Sequence, residues 1–398
     1  MKETALFTVA IIHYNQPGYI QTAIDSVLKQ DYPAIELLLA DDCSADFDEA
    51  ALREYIGDHA GKNIKNVFFQ RNIQNLGTVK NLNRVISNST GEYILFFAAD
   101  DALYNSEVLS RFVPRLEALP KGNLCVSAQC LMMDQELREN LGDFTDVNLA
   151  ARLNEQGARE QFKVLLERAF YGVGASAFRR ADFDTYGRFD EQYALVEDWS
   201  YFLAQTRAGR AVDFAGFYAL RHREGGVSHN ICPVEPAYVR TFKEDIMRIN
   251  EQEILPYFSI LPIEKQVKVL GEYDAVRKAY AAQYGVAHPY DHWAIVQKNP
   301  KLFLRKAVWF CLERCDKATK ASLHVLPRLM LFWMLLGTLG LFFAESVQYS
   351  FGMSYVSILL MLLIRYLLPA LLACWGVLLV GSVALNLLWK IKKLLAGR

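Results

Sequence analysis

The sequence predicts an α/β protein, a mostly parallel sheet flanked by helices, followed by a helical region and an apolar C-terminal stretch. Three observations carry this. From residue 5 to about 235, short apolar runs alternate with segments of helical period, the signature of a parallel sheet with crossover helices. From 237 to 322 the strand-like runs stop and the pattern is helical. Beyond that lie two long stretches with almost no charge.

The elements follow in order. Ala5–Ile12 reads as the first strand and Gly18–Gln30 as a helix; Ile35–Asp42 is the second strand, and ALREYIGDHA is helical. Asn66–Arg71 forms the third strand and Thr78–Ser89 the next helix. In GEYILFFAADD the five apolar residues Tyr93–Phe97 suit a strand covered on both faces. That strand runs into Asp100 and Asp101, adjacent carboxylates that repel each other and resist burial. Four polar clusters are read at strand ends: HYNQP (13–17), ADDCSAD (40–46), AADD (98–101) and VEDW (196–199). Carboxyl ends of parallel strands share one edge, where ligands bind, so the three acidic pairs are expected to converge there. Carboxylates so gathered need a cation or a proton to coexist.

At 398 residues, two or three domains are expected: 1–235 as the sheet domain, 236–324 as a helical region, and 325–398 as a membrane region. Within the helical region 301–323 is basic and amphipathic, which suits either the membrane interface or an ordinary packed helix. Residues 326–344 carry one charge, Arg328, and 366–389 carry none, each long enough to cross a hydrocarbon core. Phe351–Ile364 ends on Arg365 and is short for a span, so it reads as re-entrant, interfacial or an extension of the second helix. Lysines and arginines flank the pair on the outside while 345–354 has none, so both ends face the cytoplasm and the spans form a hairpin. The formal net charge of −1, with no long basic run in the first 300 residues, argues against nucleic acid as a partner. Seven scattered cysteines without paired spacing fit a reduced compartment, and the N-terminus turns polar too soon for a secretory leader.

Five blocks, in order, carry a resemblance. VAIIHYNQ with AIDSVLKQDYP, LLLADDCSAD, NLGTVKNLNRVISNSTGEYILFFAADD, FRRADFDTYGRFDEQYALVEDWSYFLA and RHREGGVSH together resemble family 2 glycosyltransferases of the GT-A fold, inverting enzymes, over roughly Phe7 to Ser228. The resemblance implies transfer of a sugar from a nucleotide diphosphate donor, a UDP-sugar by default, with Mg²⁺ or Mn²⁺ as cofactor. It assigns the metal to Asp100 and His222, with Ala98 standing where the family has its first acid. Ile12, His13, Asn15, Asp41 and Asp42 would surround the nucleoside, supported by Ser44, and Lys80 would contact phosphate. Asp198 would be the catalytic base, with Glu197 and Trp199 beside it and Arg180 helping to position substrate. His229 is assigned no role.

A sugar hydroxyl is a poor nucleophile near neutral pH and needs a positioned carboxylate, whereas a phosphate acceptor is already anionic. The E-D block therefore favours a hydroxyl acceptor, and the membrane hairpin favours a lipid-bound one. The expectation is a membrane-anchored transferase at the inner (cytoplasmic) membrane, its catalytic domain on the cytoplasmic side, extending a polyprenyl-diphosphate-linked glycan in capsule or O-antigen type synthesis. Two alternatives stand beside it: a polyprenyl-phosphate glycosyltransferase, and a non-catalytic membrane scaffold that binds nucleotide sugar.

Overall fold

A computed structural model describes residues 4–224 and 236–285. The interfacial segment 301–323, the spans 326–344 and 366–389, and His229 lie outside the described residues. Among the described residues no helix is long and apolar enough to cross a membrane.

The first half of the chain alternates as its pattern requires: β1 (Phe7–His13), α1 (Pro17–Leu28), β2 (Ile35–Asp41), α2 (Glu49–His59), β3 (Ile64–Arg71), α3 (Thr78–Asn88) and β4 (Tyr93–Ala98). These four strands are parallel in the order β3-β2-β1-β4. Every residue of β2 is buried. Phe7, Val9, Ile11, Leu37, Leu39, Leu95 and Phe97 enter one core with Ile20, Ile24 and Val27 of α1. Strand side chains alternate between faces, so Leu38, Ile94 and Phe96 are buried on the opposite side. There Phe96 meets Phe178, Phe183 and Phe189 with ring centroids 6.1–6.2 Å apart.

The second half departs from the mostly parallel expectation. After β5 (Ala102–Leu103), α4 (Val108–Ala118), β6 (Cys125–Met133), β7 (Asn140–Asp143), α5 (Val147–Gln156), α6 (Ala158–Leu165), β8 (Ser176–Arg179), α7 (Arg180–Tyr186), α8 (Glu197–Arg207) and β9 (Val212–Arg223), the nine-stranded sheet is mixed. β8 runs antiparallel to both β4 and β6, and β9 runs parallel to β6. β8 is only four residues long and polar at both ends, so neither its length nor its period announces its direction. Two further helices, α9 (Pro236–Ile249) and α10 (Ile263–Tyr284), follow, α9 running on through a π-helical turn at Asn250–Ile254.

At the amino-terminal edge of the sheet a buried carboxylate fastens three segments. Glu36 accepts hydrogen bonds from Thr8 Oγ1 (2.7 Å), from the Thr90 amide (2.8 Å) and from the Thr90 hydroxyl. The turn into β4 must pass close to β1, and Gly91 permits it: a Cβ there would lie 2.7 Å from Thr8 N and 2.8 Å from Leu6 O. Backbone atoms cannot yield as a flexible side chain can. Gly91→Ala is expected to destabilise the fold by about 1–3 kcal/mol, as overpacking does, seen as a lower denaturation midpoint; an unchanged midpoint would show that the turn has slack.

Candidate active site

Parallel packing of β1, β2 and β4 puts their carboxyl ends side by side, His13 pairing with Asp41 and Ile12 with Ala98. His13 and Asp41 are buried, and His13 Nδ1 lies 3.0 Å from Asp41 Oδ1. The Gln16 amide donates to His13 Nε2 at 3.3 Å, which places the ring proton on Nδ1, facing the carboxylate. The Ser44 amide donates to Asp41 Oδ2 (3.1 Å), and the Arg71 guanidinium stands 3.5 Å away. Burial works to raise the pKa of Asp41, but the bonds from His13 and Ser44 outweigh it and hold the carboxyl below its usual range. Asn15 and Cys43, with φ of 51° and 69°, take up left-handed backbone on either side of this pair. Asn15 is tied across the gap: its amide donates to Ser44 Oγ (2.8 Å) and its Oδ1 accepts from Ala45 N (3.2 Å).

Asp42 departs from the role expected of it. It is buried, and its oxygens accept from Asn72 Nδ2 (2.7 Å), Leu76 N (2.8 Å) and Gly77 N (2.9 Å), so it shapes the 72–77 loop and does not stand open toward a nucleoside. Lys80 follows that loop on the first turn of α3 and is exposed.

The adjacent acids after β4 divide their labour. Asp101 is buried, and both its oxygens lie 3.0 Å from His222 Nδ1, while Oδ1 also accepts the Arg223 amide at 3.1 Å. Pairing of Ala102 with Arg221, between β5 and β9, brings the two segments together. Arg223 closes the corner, its Nε donating to the Asp100 carbonyl (2.8 Å) and its guanidinium lying 4.3 Å from the Tyr19 ring centre. Asp100 is half-buried, and burial first, then the charge of Asp101, pushes its carboxyl up to about 6. Burial opposes charge on His222, but Asp101, with Asp100 behind it, raises its pKa above the ordinary value.

This donor set bears on the divalent cation that the sequence implies. Among the described residues no three His, Cys, Asp or Glu side chains form a ready-made cage. Mg²⁺ and Mn²⁺ do not require one, since such ions are commonly held by one or two carboxylates together with substrate phosphates and water. Asp100 offers a desolvated carboxylate, and Asp101 holds the His222 ring in place through Nδ1. The residues fit a cation shared with a diphosphate.

VEDW was expected at a strand end; instead Glu197, Asp198 and Trp199 open α8, after a loop. Asp198 Oδ1 accepts the Trp199 amide at 2.6 Å, and Glu197 Oε2 is buried without a hydrogen-bond partner. Burial raises both carboxyls, and Asp198 raises Glu197 further, while the positive end of α8 favours their charge. Trp199 Nε1 donates to the Leu165 carbonyl at 2.7 Å, which fixes the indole against the end of α6.

Arg180 is a correction. Arg179, beside it, pairs with Tyr93 at the amino end of β4, so both arginines sit at the sheet edge opposite Asp100. There Arg180 faces Asp184 at 3.6 Å and Arg179 bonds Asp182 at 2.8 Å. The motif was legible but the direction of β8 was not.

Two residues of α9 belong to the site without having been expected. Asp245 Oδ2 accepts the amides of Ala194 and Leu195, each at 2.8 Å, and so braces the loop that delivers Glu197. Tyr238 stacks on Tyr14 with centroids 6.1 Å apart and planes 11° from parallel. Its phenol is pushed up to about 12 by burial, with Asp42 and Glu197 both near enough to add to the shift. It therefore lies between Asp42 and the acidic pair. Only the aromatic and acidic spacing of a helix outside the five blocks could have signalled them.

Comparison with known proteins agrees with the blocks. Residues 8–187 match the model of glycosyl transferase family 2. Protein CgeD of Bacillus subtilis is 28% identical over 140 residues, 34% of this chain and 32% of that protein. A Rickettsia typhi protein described as an uncharacterized glycosyltransferase is 34% identical over 103 residues, 26% of this chain and 30% of its own. A PGL/p-HBAD biosynthesis glycosyltransferase of Mycobacterium tuberculosis is 23% identical over 196 residues, 49% of this chain and 68% of its own. The chain spans about a third of the length of the first curated relatives it matches. Among solved structures, Staphylococcus aureus TarS 1-349 with UDP-GlcNAc is similar at 18% identity and a TM-score of 0.41, over 70% of this chain and 83% of that one. Mannosyltransferase PcManGT of Pyrobaculum calidifontis, with GDP-Man and Mn²⁺, gives 15% and 0.46, over 76% and 81%. Over residues 8–187, a little under half of its length, the chain is similar to glycosyl transferase family 2.

Proposed function

We propose that the protein is a membrane-anchored inverting glycosyltransferase that moves a sugar from a nucleotide diphosphate donor to a hydroxyl of a polyprenyl-diphosphate-linked glycan, on the cytoplasmic side of the inner membrane, in cell-surface polysaccharide synthesis. The observation that carries it is the acidic pair Glu197–Asp198, desolvated at the start of α8, with Tyr238 near both Glu197 and Asp42. Membrane anchoring is drawn from the apolar C-terminal sequence and the lipid-linked acceptor from that anchoring; a UDP-sugar is the default donor.

The chemistry follows from the placement. Backbone around Ile12, His13 and Asn15 covers the nucleoside, with the Tyr14–Tyr238 stack beside it. Asp198 takes the proton of the acceptor hydroxyl as that oxygen bonds to the anomeric carbon. The bond from that carbon to the diphosphate breaks on the opposite face, and the nucleoside diphosphate leaves. Asp100 and His222 would hold Mg²⁺ or Mn²⁺, which when bound offsets the charge developing on the diphosphate. Burial raises both carboxyls, so the pair Glu197–Asp198 shares one proton and keeps one negative charge for base catalysis.

Three outcomes are expected. Asp198→Asn lowers transfer from radiolabelled nucleotide sugar into membrane lipid extract by about 10²–10⁴-fold, the usual worth of a general base; label that survives the mutation would mean a phosphate acceptor. A base works only when deprotonated, so with the pair's pKa raised by burial, kcat falls as pH falls through a midpoint above the ordinary carboxylate value of about 4. A midpoint near 4 in the wild type would deny the pair that role. Chelation abolishes transfer, and Asp100→Asn raises the Mn²⁺ needed for half-maximal rate by about tenfold or more; full activity in chelator would remove the cation from the proposal.

A further inference from the structure

A second cleft, of about 510 Å³, lies between the β7–α5 corner and the segment after α6. Asp143, Phe144, Thr145 and Asn148 form one wall and Arg168 and Phe170 the other. The volume falls within the range of small-molecule sites. Its rim is unusual for a soluble surface: Leu141, Phe144 and Val147 are 49%, 43% and 37% exposed, three large apolar side chains within seven residues.

Both walls are tied to elements that end at the active site. Asp143 accepts the Tyr218 hydroxyl at 2.8 Å, and β9 runs from Tyr218 to His222, about 13 Å at the usual rise per residue. On the other side the Trp199 indole bonds Leu165, one turn before Arg168, and Tyr171, next to Phe170, packs on Phe202 of α8 at 5.5 Å. Elements from both walls thus lead toward α8 and His222, while the cleft itself is lined by none of Asp100, Glu197, Asp198 or His222.

Building on the proposed transferase activity, we infer that this cleft binds a hydroxyl-rich pyranose of the acceptor glycan, at least one sugar removed from the one that reacts. An exposed aromatic face beside an amide, a hydroxyl, a carboxylate and a guanidinium is the chemistry such a ring requires. Phe144 covers its apolar face, while Asn148, Asp143 and Arg168 meet its hydroxyls. Arg168 is held over Phe170 at 5.7 Å, which aims the guanidinium along the wall. A lipid chain would ask for a lining without these polar groups, so the saccharide is the occupant the lining favours.

The test uses the full-length protein, labelled nucleotide sugar and glycolipid extracted from membranes of the source organism, measuring transfer and donor hydrolysis together. Phe144→Ala combined with Asn148→Ala, both exposed positions, is expected to raise the acceptor KM about tenfold and to lower the ratio of transfer to hydrolysis in proportion. Phe144→Tyr restores both, and glycan released from the extract by mild acid competes with transfer. An unchanged acceptor KM, an equal fall in transfer and hydrolysis, or no competition by the lipid-free glycan overturns the inference. Absence of transfer by the wild type would instead overturn the transferase proposal itself.

Discussion

Desolvated negative charge is the constraint on which the site depends. Asp41, Asp42, Asp100 and Asp101 leave the ends of neighbouring parallel strands, and each must find donors or remain raised in pKa. Three find them within the protein: Asp41 from His13 and Ser44, Asp42 from the 72–77 loop, Asp101 from His222 and Arg223. Their partners come from loops far apart in sequence, so satisfying these carboxylates also sets the shape of the cleft. Asp100 is left raised, as are Glu197 and Asp198 at the start of α8. In the proposed reaction, a nucleotide diphosphate with its cation and an acceptor hydroxyl would supply what those three lack.

The parallel half of the sheet was readable because each strand is buried on both faces and so appears as an uninterrupted apolar run between helical segments. The same argument located Asp41, Asp42, Asp100 and Asp101 at one edge, since parallel strands all end on the same side. It could not divide them. Whether a carboxylate organises a loop or faces a ligand is decided by amide donors such as Leu76 N and Gly77 N, and backbone amides leave no mark on residue identity. Arg180 was misplaced for a related reason. A four-residue strand running backwards beside β4 has no period that distinguishes its two ends.

The family match ends at residue 187, yet Glu197, Asp198, His222, Tyr238 and Asp245 all lie beyond it. The matched segment builds the strand edge and the loop shaped by Asp42. The later segment brings the acidic pair, the histidine paired with Asp101, and the helix that steadies them. Asp245 matters most in this second group, because two amides on one carboxylate oxygen fix the backbone immediately before α8. Burial raises the pKa of Asp245 as well, and only those amides and Arg248, 3.2 Å away, oppose it.

Three acids therefore share one small volume: Asp245 behind the loop, Glu197 in the middle with an oxygen that has no partner, and Asp198 at its side. Full ionisation of all three in so dry a setting is unfavourable, so the group holds a proton, and Asp198 and Asp245 both raise Glu197. A protonated Glu197 is a donor as well as an acceptor. In the proposed reaction it would hydrogen-bond an acceptor oxygen while Asp198 withdraws that oxygen's proton, and the pair would meet the hydroxyl with a single negative charge. On this view adjacent acids at this point serve the proposed reaction by holding one proton between two carboxyls where water is scarce.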